Sequence, residues 1–591
     1  MGRKAYYKKR QDHFIKMKAG YVKKYKLLSL LRLVLFVLII FSFIYHEPLG
    51  RLFFPVLFIL VLFFIGLIVR YINLKKKIER IKAYIHVNKT ELRVLDWDFQ
   101  HLDTGGEFFN PDHVYSYDLD VFGEGSVFQY INRTNTSEGH KQLAKWLQEP
   151  SYKQDEIIER QEAVKELSAG PDNLQDFLSL FINDDGKEIQ SLKTWLQKSD
   201  QLSTVLNLLS FIFPLAGFLI FIGVIIFHLP LSFFIFWVIF QLFIVGVYSK
   251  KVNYSHQQLS NSYKLLKRYS RIIEFLSQQK YRCSYLKRIQ KLLYSEDFSA
   301  GKALKKLSFI LDAFDNRLNL FAGFLLNALF MYDFHCIRSL EKWRQRFKSY
   351  APDWFQAIAE YDAMVSLSVY AFNQDTYVYP QLESNVVFRS RLLGHPLIPG
   401  EERVCNDFSF EKKDEFAIVT GANMAGKSTF LRAFGVNLVL AGLGVPVCAD
   451  EFIYNPAPIY SSMRTTDSLY KHESYFYAEL KRLKGLISSL DEGERMFVLL
   501  DELLKGTNSK DQSTGAIKLL ERLIGKSSNG IVATHDLQLT QLEKKYPENF
   551  MNYCFEVKLE AENILFDYQL RKGITTRMNA LELMKKMDII F

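Results

Sequence analysis

The sequence predicts two fold classes in one chain of 591 residues. An α/β domain with a mostly parallel sheet is expected at the C-terminal end. An all-α domain is expected before it, interrupted by four transmembrane helices in two hairpins. Three observations predict this: four long apolar runs, amphipathic helical periodicity from about 255 to 385, and short apolar runs further on that are typical of strands in a parallel sheet.

The four apolar runs form two close pairs. They are 27–45 and 52–71, joined by HEPLGR, and 205–227 and 231–248, joined by HLP. About 20 apolar residues cross a bilayer as a helix, and four such runs in two tight pairs favour membrane hairpins over buried core helices. A cleaved signal peptide is disfavoured, because no small-residue cleavage site follows the first run.

Basic residues around the hairpins predict their orientation. Clusters of Lys and Arg precede the first run and follow the second and the fourth, whereas the connecting loops hold only Arg51. The positive-inside rule therefore predicts a multi-pass membrane protein with both termini and both large soluble parts in the cytoplasm. The net charge of +11 also suits an anionic partner such as nucleic acid or acidic lipid, but these flanking charges explain it equally well.

A nucleotide site is predicted by TGANMAGKST, residues 420–429. The stretch contains the P-loop pattern GxxxxGK[ST] between an apolar strand and a helix-like segment, so backbone N–H groups can face a phosphate. We expect Lys427 to reach the β- and γ-phosphates of ATP, and the Ser428 hydroxyl to bind Mg²⁺. The nucleotide-binding residues predicted here are Gly421, Asn423, Met424, Gly426, Lys427, Ser428 and Thr429.

Two more strands are expected to end at the same sheet edge. One ends in Asp501, predicted to orient Mg²⁺ through water, and in Glu502, predicted to position or polarise the attacking water. The other ends in His535, predicted to sense the γ-phosphate. An acidic pair can merely start a helix and a lone histidine can be structural, but the upstream phosphate loop favours catalytic roles for Glu502 and His535. Together these residues predict ATP hydrolysis by positioning and charge stabilisation, without a covalent intermediate.

These motifs resemble those of the MutS family, the ATPases of DNA mismatch repair and their relatives. The family's phosphate loop reads TGPNMGGKST, and this chain has Ala422 and Ala425 in place of a Pro and a Gly. DELLKGTNSKD at 501–511 and ATHDLQLTQL also resemble family segments, and 118–150 is similar to the start of the family's core domain. The resemblance implies an ABC/MutS-type ATPase domain, a helical core and lever domain, a homodimer with composite ATP sites, and binding of double-stranded or branched DNA.

The segment ESYFYAEL is similar to the family's STFxxE element. By that resemblance Ser474 contacts the nucleotide held by the partner subunit. The family's mismatch-reading domain is expected to have no counterpart, because 1–77 is predicted to be a basic tail plus a hairpin, and mismatch specificity is therefore not expected. The sequence stops soon after the ATPase motifs, so the family's terminal dimerisation element is expected to be truncated or absent.

We accordingly divide the chain into six parts. They are a basic cytoplasmic tail (1–26), transmembrane hairpin 1 (27–74), the first part of a MutS-like core domain (75–204), transmembrane hairpin 2 (205–249), a helical core and lever part (250–385) and a MutS-type ATPase domain (386–591).

The function expected from this organisation is a membrane-anchored MutS-like ATPase that is DNA-dependent or DNA-stimulated. Basic residues on helices within 263–293 could touch DNA phosphates or form a solvated helix face. An ATP-driven transporter is an alternative, weakened by the lack of an LSGGQ-type signature and of polar residues in the spans. A nucleotide-switched membrane scaffold with little turnover is another, weakened by the intact Asp501–Glu502 pair.

Overall fold

The computed structural model describes residues 2–44, 50, 53–181, 190–197, 204–259, 262–295, 298–464, 475–560 and 563–575. Helices dominate as far as Asn373, and most strands follow it. The helices are α1 Arg3–Ile44, α2 Phe53–Leu95, α3 Val127–Ile131, α4 Ser137–Gln148, α5 Gln154–Ser168, α6 Pro171–Leu178, α7 Gln190–Gln197, α8 Thr204–Ile226, α9 Leu231–Leu259, α10 Ser262–Gln278, α11 Ser284–Leu292, α12 Ala300–Asp315, α13 Leu320–Phe330, α14 Tyr332–Phe347, α15 Ala351–Asn373, α16 Lys427–Gly442, α17 Tyr475–Asp491, α18 Ser509–Leu523 and α19 Gln541–Lys545.

Three of these helices are long and apolar enough to cross a membrane: α1, α2 and the Leu231–Tyr254 part of α9. The fourth predicted span, 205–227, lies in α8, of which Ser210–Ile226 is a shorter apolar helix. In both predicted pairs the two helices pack together, α1 along α2 and α8 along α9. The connecting residues 45–49 and 51–52 lie outside the described part of the chain.

The basic N-terminal segment is the first half of α1 and packs on the helical core. Tyr7 is buried, and its hydroxyl donates to Asn373 Oδ1 at 2.8 Å. The Asn373 amide donates in turn to Glu91 Oε2 at 2.8 Å, and Glu91 forms a buried ion pair with Arg133 at 2.6 Å. Removing one partner of a buried pair is costly, so these contacts fix α1 and α2 firmly to the end of α15.

Helix α15 is the centre of the all-α part, because nearly all of its side chains are buried. Near its middle, the Asp362 carboxylate accepts hydrogen bonds from the backbone N–H and the hydroxyl of Thr136, at 2.8 and 2.7 Å. Thr136 also caps α4 by accepting from the N–H of Gly139. A Cβ on Gly139 would lie 2.4 Å from Asp362 Oδ2, so α4 meets α15 this closely only with glycine there. Burial raises the pKa of Asp362 to about 6.

The C-terminal part contains a six-stranded sheet with the order β12-β11-β6-β10-β9-β8. Neighbouring strands from β11 to β8 are parallel, and β12 pairs antiparallel to β11. A four-stranded sheet, β3-β7-β4-β5, lies beside it, and β1 and β2 form a small hairpin. The strands are β1 Tyr294–Ser295, β2 Phe298–Ser299, β3 Gln381–Leu382, β4 Phe388–Leu393, β5 Asn406–Phe410, β6 Phe416–Gly421, β7 Glu451–Tyr454, β8 Ile459–Ser462, β9 Met496–Asp501, β10 Ser528–Thr534, β11 Phe550–Glu560 and β12 Asn563–Lys572.

The central strands are apolar throughout because both of their faces are covered. Alternate side chains enter two different apolar clusters: Val419 and Leu499 belong to the cluster that includes α16, while Ile418 and Val498 belong to the one formed with α17 and α18. The strand register places the carboxyl ends of β6, β9 and β10 side by side. In parallel sheets ligands bind at this edge.

Candidate functional site

The loop between β6 and α16 is closely packed and turns sharply into the helix. A Cβ on Gly421 would lie 2.9 Å from the carbonyl oxygen of Phe555 on β11. Gly426, the residue before α16, has φ 107°, a left-handed conformation that glycine adopts readily. The first N–H groups of α16 have no acceptor within the helix. They therefore form a site for an anion at the helix N-terminus.

Lys427 begins α16 and is only 6% exposed. Its Nζ donates to the carbonyl oxygens of Gly421 and Ala422 at 2.9 and 3.0 Å, and lies 3.2 Å from Nε2 of His535. Burial lowers the pKa of Lys427, and the nearby Glu502 carboxylate opposes this shift. The loop thus holds a cation at the place where the sequence predicts phosphates.

Ser428 and Asp501 bring oxygen atoms together from α16 and β9. The Ser428 hydroxyl donates to Asp501 Oδ2 at 2.6 Å. The other oxygen, Oδ1, is buried and has no hydrogen-bond partner among the described residues. Burial raises the pKa of Asp501, and a bound cation would favour its charged form. A hydroxyl and a carboxylate with an unsatisfied oxygen are ligands that suit Mg²⁺, so the residues present fit this ion.

Glu502 and His535 are in direct contact across the ends of β9 and β10. Glu502 Oε1 lies 2.9 Å from His535 Nε2, and Oε2 lies 2.8 Å from Lys505 Nζ. The hydrogen bond from His535 is the main reason why the pKa of Glu502 falls to about 2, and Lys505 adds to the effect. An ionised carboxylate only accepts, so His535 donates through Nε2. Its approach to Lys427 is then a contact between two donors.

A pocket of about 710 Å³ opens beside these side chains. Residues 423–430 and Glu502 line one part of it, and the apolar side chains of Leu397, Ile398 and Pro399 line another. Its volume is in the range of small-molecule sites. Sequence reasoning gave the apolar wall no role in a pocket, because the stretch GHPLIPG is separated from the phosphate loop along the chain.

Glu479 on α17 is a buried carboxylate that supports the turn after Glu502. Its Oε1 accepts from the backbone N–H of Leu504 at 2.5 Å, and its Oε2 is buried without a partner among the residues that the structure describes. Leu504 has φ 59° and Glu502 has φ 49°, and such conformations are strained for residues other than glycine. Burial raises the pKa of Glu479. The carboxylate therefore helps hold a strained turn next to the predicted catalytic residue.

A second buried acid, Asp118, joins the helical part to the sheet domain. Its carboxylate is fully buried and accepts from Ser461 Oγ at 2.7 Å and from the N–H groups of Met463 and Arg464 at 3.2 and 2.9 Å. Arg482 of α17 completes the set through an ion pair at 2.9 Å. We call these five residues the Asp118 junction. The acid lies in DLDVFGEG, where the only local signal for it is the spacing of Asp118 and Asp120 on either side of an apolar residue.

The junction also reaches the helix that carries Lys427. Arg432 of α16 donates through Nε to the carbonyl oxygen of Asp118 at 3.1 Å, and its Nη1 lies 3.6 Å from Asp120 Oδ2. Asp120 also pairs with Arg464 at 2.5 Å. Three elements of the sheet domain, namely β8, α16 and α17, are therefore bonded to one short segment of the helical part, and α16 also lines the pocket.

The structure places most of the predicted site residues around the same pocket. Lys427, Ser428, Asp501, Glu502 and His535 form a connected group of contacts. Gly421 and Gly426 bound the loop, and Asn423, Met424 and Thr429 line the pocket. Ser474, predicted to act in the partner's site, lies within 465–474, outside the described residues.

Two family models match the chain over most of its length. The model for MutS domain III matches residues 115–368, and the model for MutS domain V matches residues 417–589. The first match covers most of the helical part with its second hairpin, and the second begins in β6. The models therefore cover the Asp118 junction and the group around Lys427.

Similar curated proteins come from distant organisms. The DNA mismatch repair protein MutS of Thermotoga petrophila is 32% identical over 194 residues, which is 32% of this chain and 24% of that protein. MutS of Fusobacterium nucleatum is 29% identical over 225 residues, 37% of this chain and 25% of that protein. The human MutS protein homolog 4 is 28% identical over 228 residues, 37% of this chain and 24% of that protein. The chain thus spans about a quarter of the length of the curated relatives that it matches.

Proposed function

This chain belongs to the MutS family, and we propose that it is a membrane-anchored ATPase that couples the binding and hydrolysis of ATP to DNA. One observation carries the proposal. Lys427, Ser428, Asp501, Glu502 and His535 come from three different strand ends and contact one another beside a pocket of about 710 Å³. Each has the chemistry that phosphoryl transfer to water requires.

ATP would be held by the loop and by the beginning of α16. Lys427 would turn its ammonium group from the carbonyls of Gly421 and Ala422 to the β- and γ-phosphates, aided by the N–H groups of the first helical turn. Ser428 and Asp501 would hold Mg²⁺, which when bound neutralises charge on the phosphate oxygens. The apolar wall at 397–399 is the place where a base could be buried.

Glu502 would act on the attacking water, and His535 would keep the Glu502 carboxylate ionised and in place. A carboxyl with a pKa of about 2 is a weak base. We therefore propose that Glu502 orients the water by accepting its hydrogen bond and takes a proton only late in the reaction. His535 fixes the carboxylate by donating to it. Glu479 keeps the following turn in place through Leu504.

DNA coupling would use the helical part, which α16 and α17 reach through the Asp118 junction. Exposed basic side chains on α10 and α11 could contact phosphates; they are Lys267, Arg271, Lys287 and Lys291. Such contacts position a protein on DNA without reading sequence, so we propose recognition of double-stranded or branched DNA without mismatch specificity. In this scheme 386–591 is the ATPase domain, and 75–204 with 250–385 is the core and lever domain.

The membrane and a second copy of the chain complete the proposed assembly. The three candidate spans and α8 would form two hairpins. The basic residues that flank them favour a cytoplasmic ATPase domain with both termini on the same side. As in the composite sites that the family resemblance implies, we propose a homodimer in which Ser474 contacts the nucleotide of the partner subunit.

The test is steady-state ATP hydrolysis by the full chain in liposomes at fixed salt. Turnover is measured without DNA and with linear duplex, mismatched duplex and four-way junction DNA. Because counterion release makes nucleic-acid affinity fall with salt, the same panel is repeated at a second salt concentration. Lys427→Met provides the background rate.

Stimulation by duplex or junction DNA, weaker at higher salt and equal for matched and mismatched duplex, is the expected result. ATP hydrolysis that ignores every DNA would overturn the DNA part and favour a transporter or a scaffold. A wild-type rate no higher than that of Lys427→Met would overturn the ATPase itself.

A further inference from the structure

Helix α13 exposes a continuous apolar surface that no described residue covers. Phe321 is 90% exposed, Phe324 62% and Leu325 56%. Exposed apolar surface of this kind marks a binding or membrane-contacting site. The sequence LFAGFLLNALF is too short to appear among the predicted spans.

Two hydrogen bonds fix α13 alongside α9. Arg317, just before α13, donates through Nη1 to Asn253 Oδ1 at 2.8 Å. At the other end of α13, the carbonyl oxygen of Asn327 accepts from Gln241 Nε2 at 3.4 Å. Asn253 lies at the C-terminal end of the candidate span Leu231–Tyr254 and Gln241 near its middle. The two are about 18 Å apart along the helix, so α13 runs from one end of the span to its centre.

The chain then turns and comes back along the same hairpin. Met331 has φ 47° and separates α13 from α14. Met331 and Phe334 are buried against Val245 of α9. The Arg338 guanidinium on α14 lies 4.4 Å from the ring centre of Phe211, near the beginning of α8. Helices α13 and α14 therefore form a helical hairpin whose tip lies beside the middle of α9.

The polar side chains of Arg317, Asn327 and Asp333, which flank or lie in α13, face inward. Asp333 is buried and pairs with Arg317 Nη2 at 2.9 Å, and Asn327 Nδ2 donates to Asp333 Oδ1 at 3.1 Å. A helix in water shows the opposite pattern, with polar residues outside and apolar residues inside. Charged groups in a membrane are tolerated when they are paired and turned toward protein, which is the arrangement here.

We propose that α13 is a re-entrant helix embedded in the cytoplasmic leaflet beside the second hairpin, with lipid acyl chains covering Phe321, Phe324 and Leu325. The proposal rests on the membrane anchoring described under Proposed function. Eleven residues of helix measure about 16 Å, roughly half of a hydrocarbon core of about 30 Å. The segment therefore enters and leaves on one side. Irregular or short elements occur at such depth where they pack on protein, as α13 does on α9.

Depth-dependent quenching tests the proposal on the full chain in liposomes. Single cysteines replace Phe324, Phe236 on the exposed side of α9, and Glu492 in the sheet domain, all in a Cys405→Ser background because the other four cysteines are buried. Each is labelled with the environment-sensitive dye NBD. Emission is recorded with and without lipids that carry a nitroxide on the acyl chain. ATP hydrolysis of each variant is measured as a check that the protein is folded.

At Phe324→Cys we expect blue-shifted emission that is largely lost with nitroxide lipids, as at Phe236→Cys, while Glu492→Cys shows neither effect. Quenching at position 236 but not at 324 would overturn the re-entrant helix and leave the membrane anchoring intact. A blue shift at 324 without quenching would also overturn it, because protein, such as a second copy, would then cover the surface. No quenching at either position would overturn the anchoring as well.

Discussion

Replacing Asp118 by Ala should destabilise the protein, at the contact between the helical part and the sheet domain, more than breaking an exposed ion pair does. The carboxylate is fully buried and accepts four hydrogen bonds, two from backbone N–H groups, one from Ser461 and one from Arg482. Alanine leaves all four donors without this acceptor. Two of them belong to the backbone that leads away from β8, where no rotation of a side chain can find a replacement.

The expected cost follows from these partners. Breaking a buried pair by removing one member costs about 3–5 kcal/mol. Each neutral donor left without an acceptor adds a fraction of its desolvation penalty, which is about 1–3 kcal/mol. We expect Asp118→Ala to lower the free energy of unfolding by about 4 kcal/mol. Arg482→Met should cost about 3 kcal/mol, the lower end of the same range, because the carboxylate loses its cation but keeps its other three donors. The double variant should fall short of the sum by about 1–3 kcal/mol, the coupling of residues in one network.

The measurement is chemical unfolding of the sheet domain in detergent. Unfolding is monitored by the loss of protection of introduced cysteines. Asp491→Ala is the matched control, because Asp491 also pairs with an arginine, Arg522 at 3.1 Å, but both side chains are exposed. Such surface pairs contribute about 0–1 kcal/mol. If Asp118→Ala cost no more than Asp491→Ala, the junction would not hold the two parts together and the reasoning would be refuted.

Three further predictions concern the pocket. Gly426→Ala should abolish binding of a fluorescent ATP analogue, because φ is 107° and the new Cβ would lie 3.1 Å from Tyr568. The control Gly525→Ala, where φ is 77° but the Cβ meets open space, should bind the analogue normally. Equal binding by the two variants would refute this prediction. In wild-type protein, Glu502 should cause no loss of kcat/KM above pH 5. Its pKa is held at about 2, so the carboxylate loses its charge only as the pH falls toward that value. His535→Asn removes the hydrogen bond that contributes most to lowering the pKa of Glu502. The pKa of Glu502 should therefore rise, and the loss of rate on acidification should begin at a higher pH than in wild type. An unchanged pH profile would contradict the assigned contact. Ser428→Ala should raise the Mg²⁺ concentration for half-maximal turnover, and an unchanged requirement would exclude the hydroxyl as a ligand.

Local sequence signals predicted the parts of the fold that depend on neighbouring residues. Apolar runs and their pairing predicted α1, α2 and α9, and three apolar strand runs with a glycine loop predicted how β6, β9 and β10 end at one edge. That α1 begins at Arg3 and packs on α15 was not foreseen, because a Lys-rich stretch is typical of a solvated tail. The burial of Tyr7 depends on Phe372 and Asn373 at the distant end of α15.

The remaining features depend on contacts between distant segments. Asp118 and Arg482 are 364 positions apart, and neither residue type suggests its partner. Helix α13 was missed because a largely apolar stretch of 11 residues resembles a core helix, and only its position beside α9 shows its exposed side. Glu479 was noticed within a resembling motif, but its bond to Leu504 requires the folded turn.

We assign ATP hydrolysis to the group formed by Lys427, Asp501 and Glu502. This assignment is tested most directly by measuring ATP binding and ATP turnover in parallel for wild type, Lys427→Met, Glu502→Gln and the exposed control Glu492→Gln. We predict that Glu502→Gln binds ATP like wild type while turnover falls by about 10²-fold or more, that Lys427→Met loses both, and that Glu492→Gln changes neither. Turnover by Glu502→Gln at the wild-type rate, or full ATP binding by Lys427→Met, would contradict the assignment of the site.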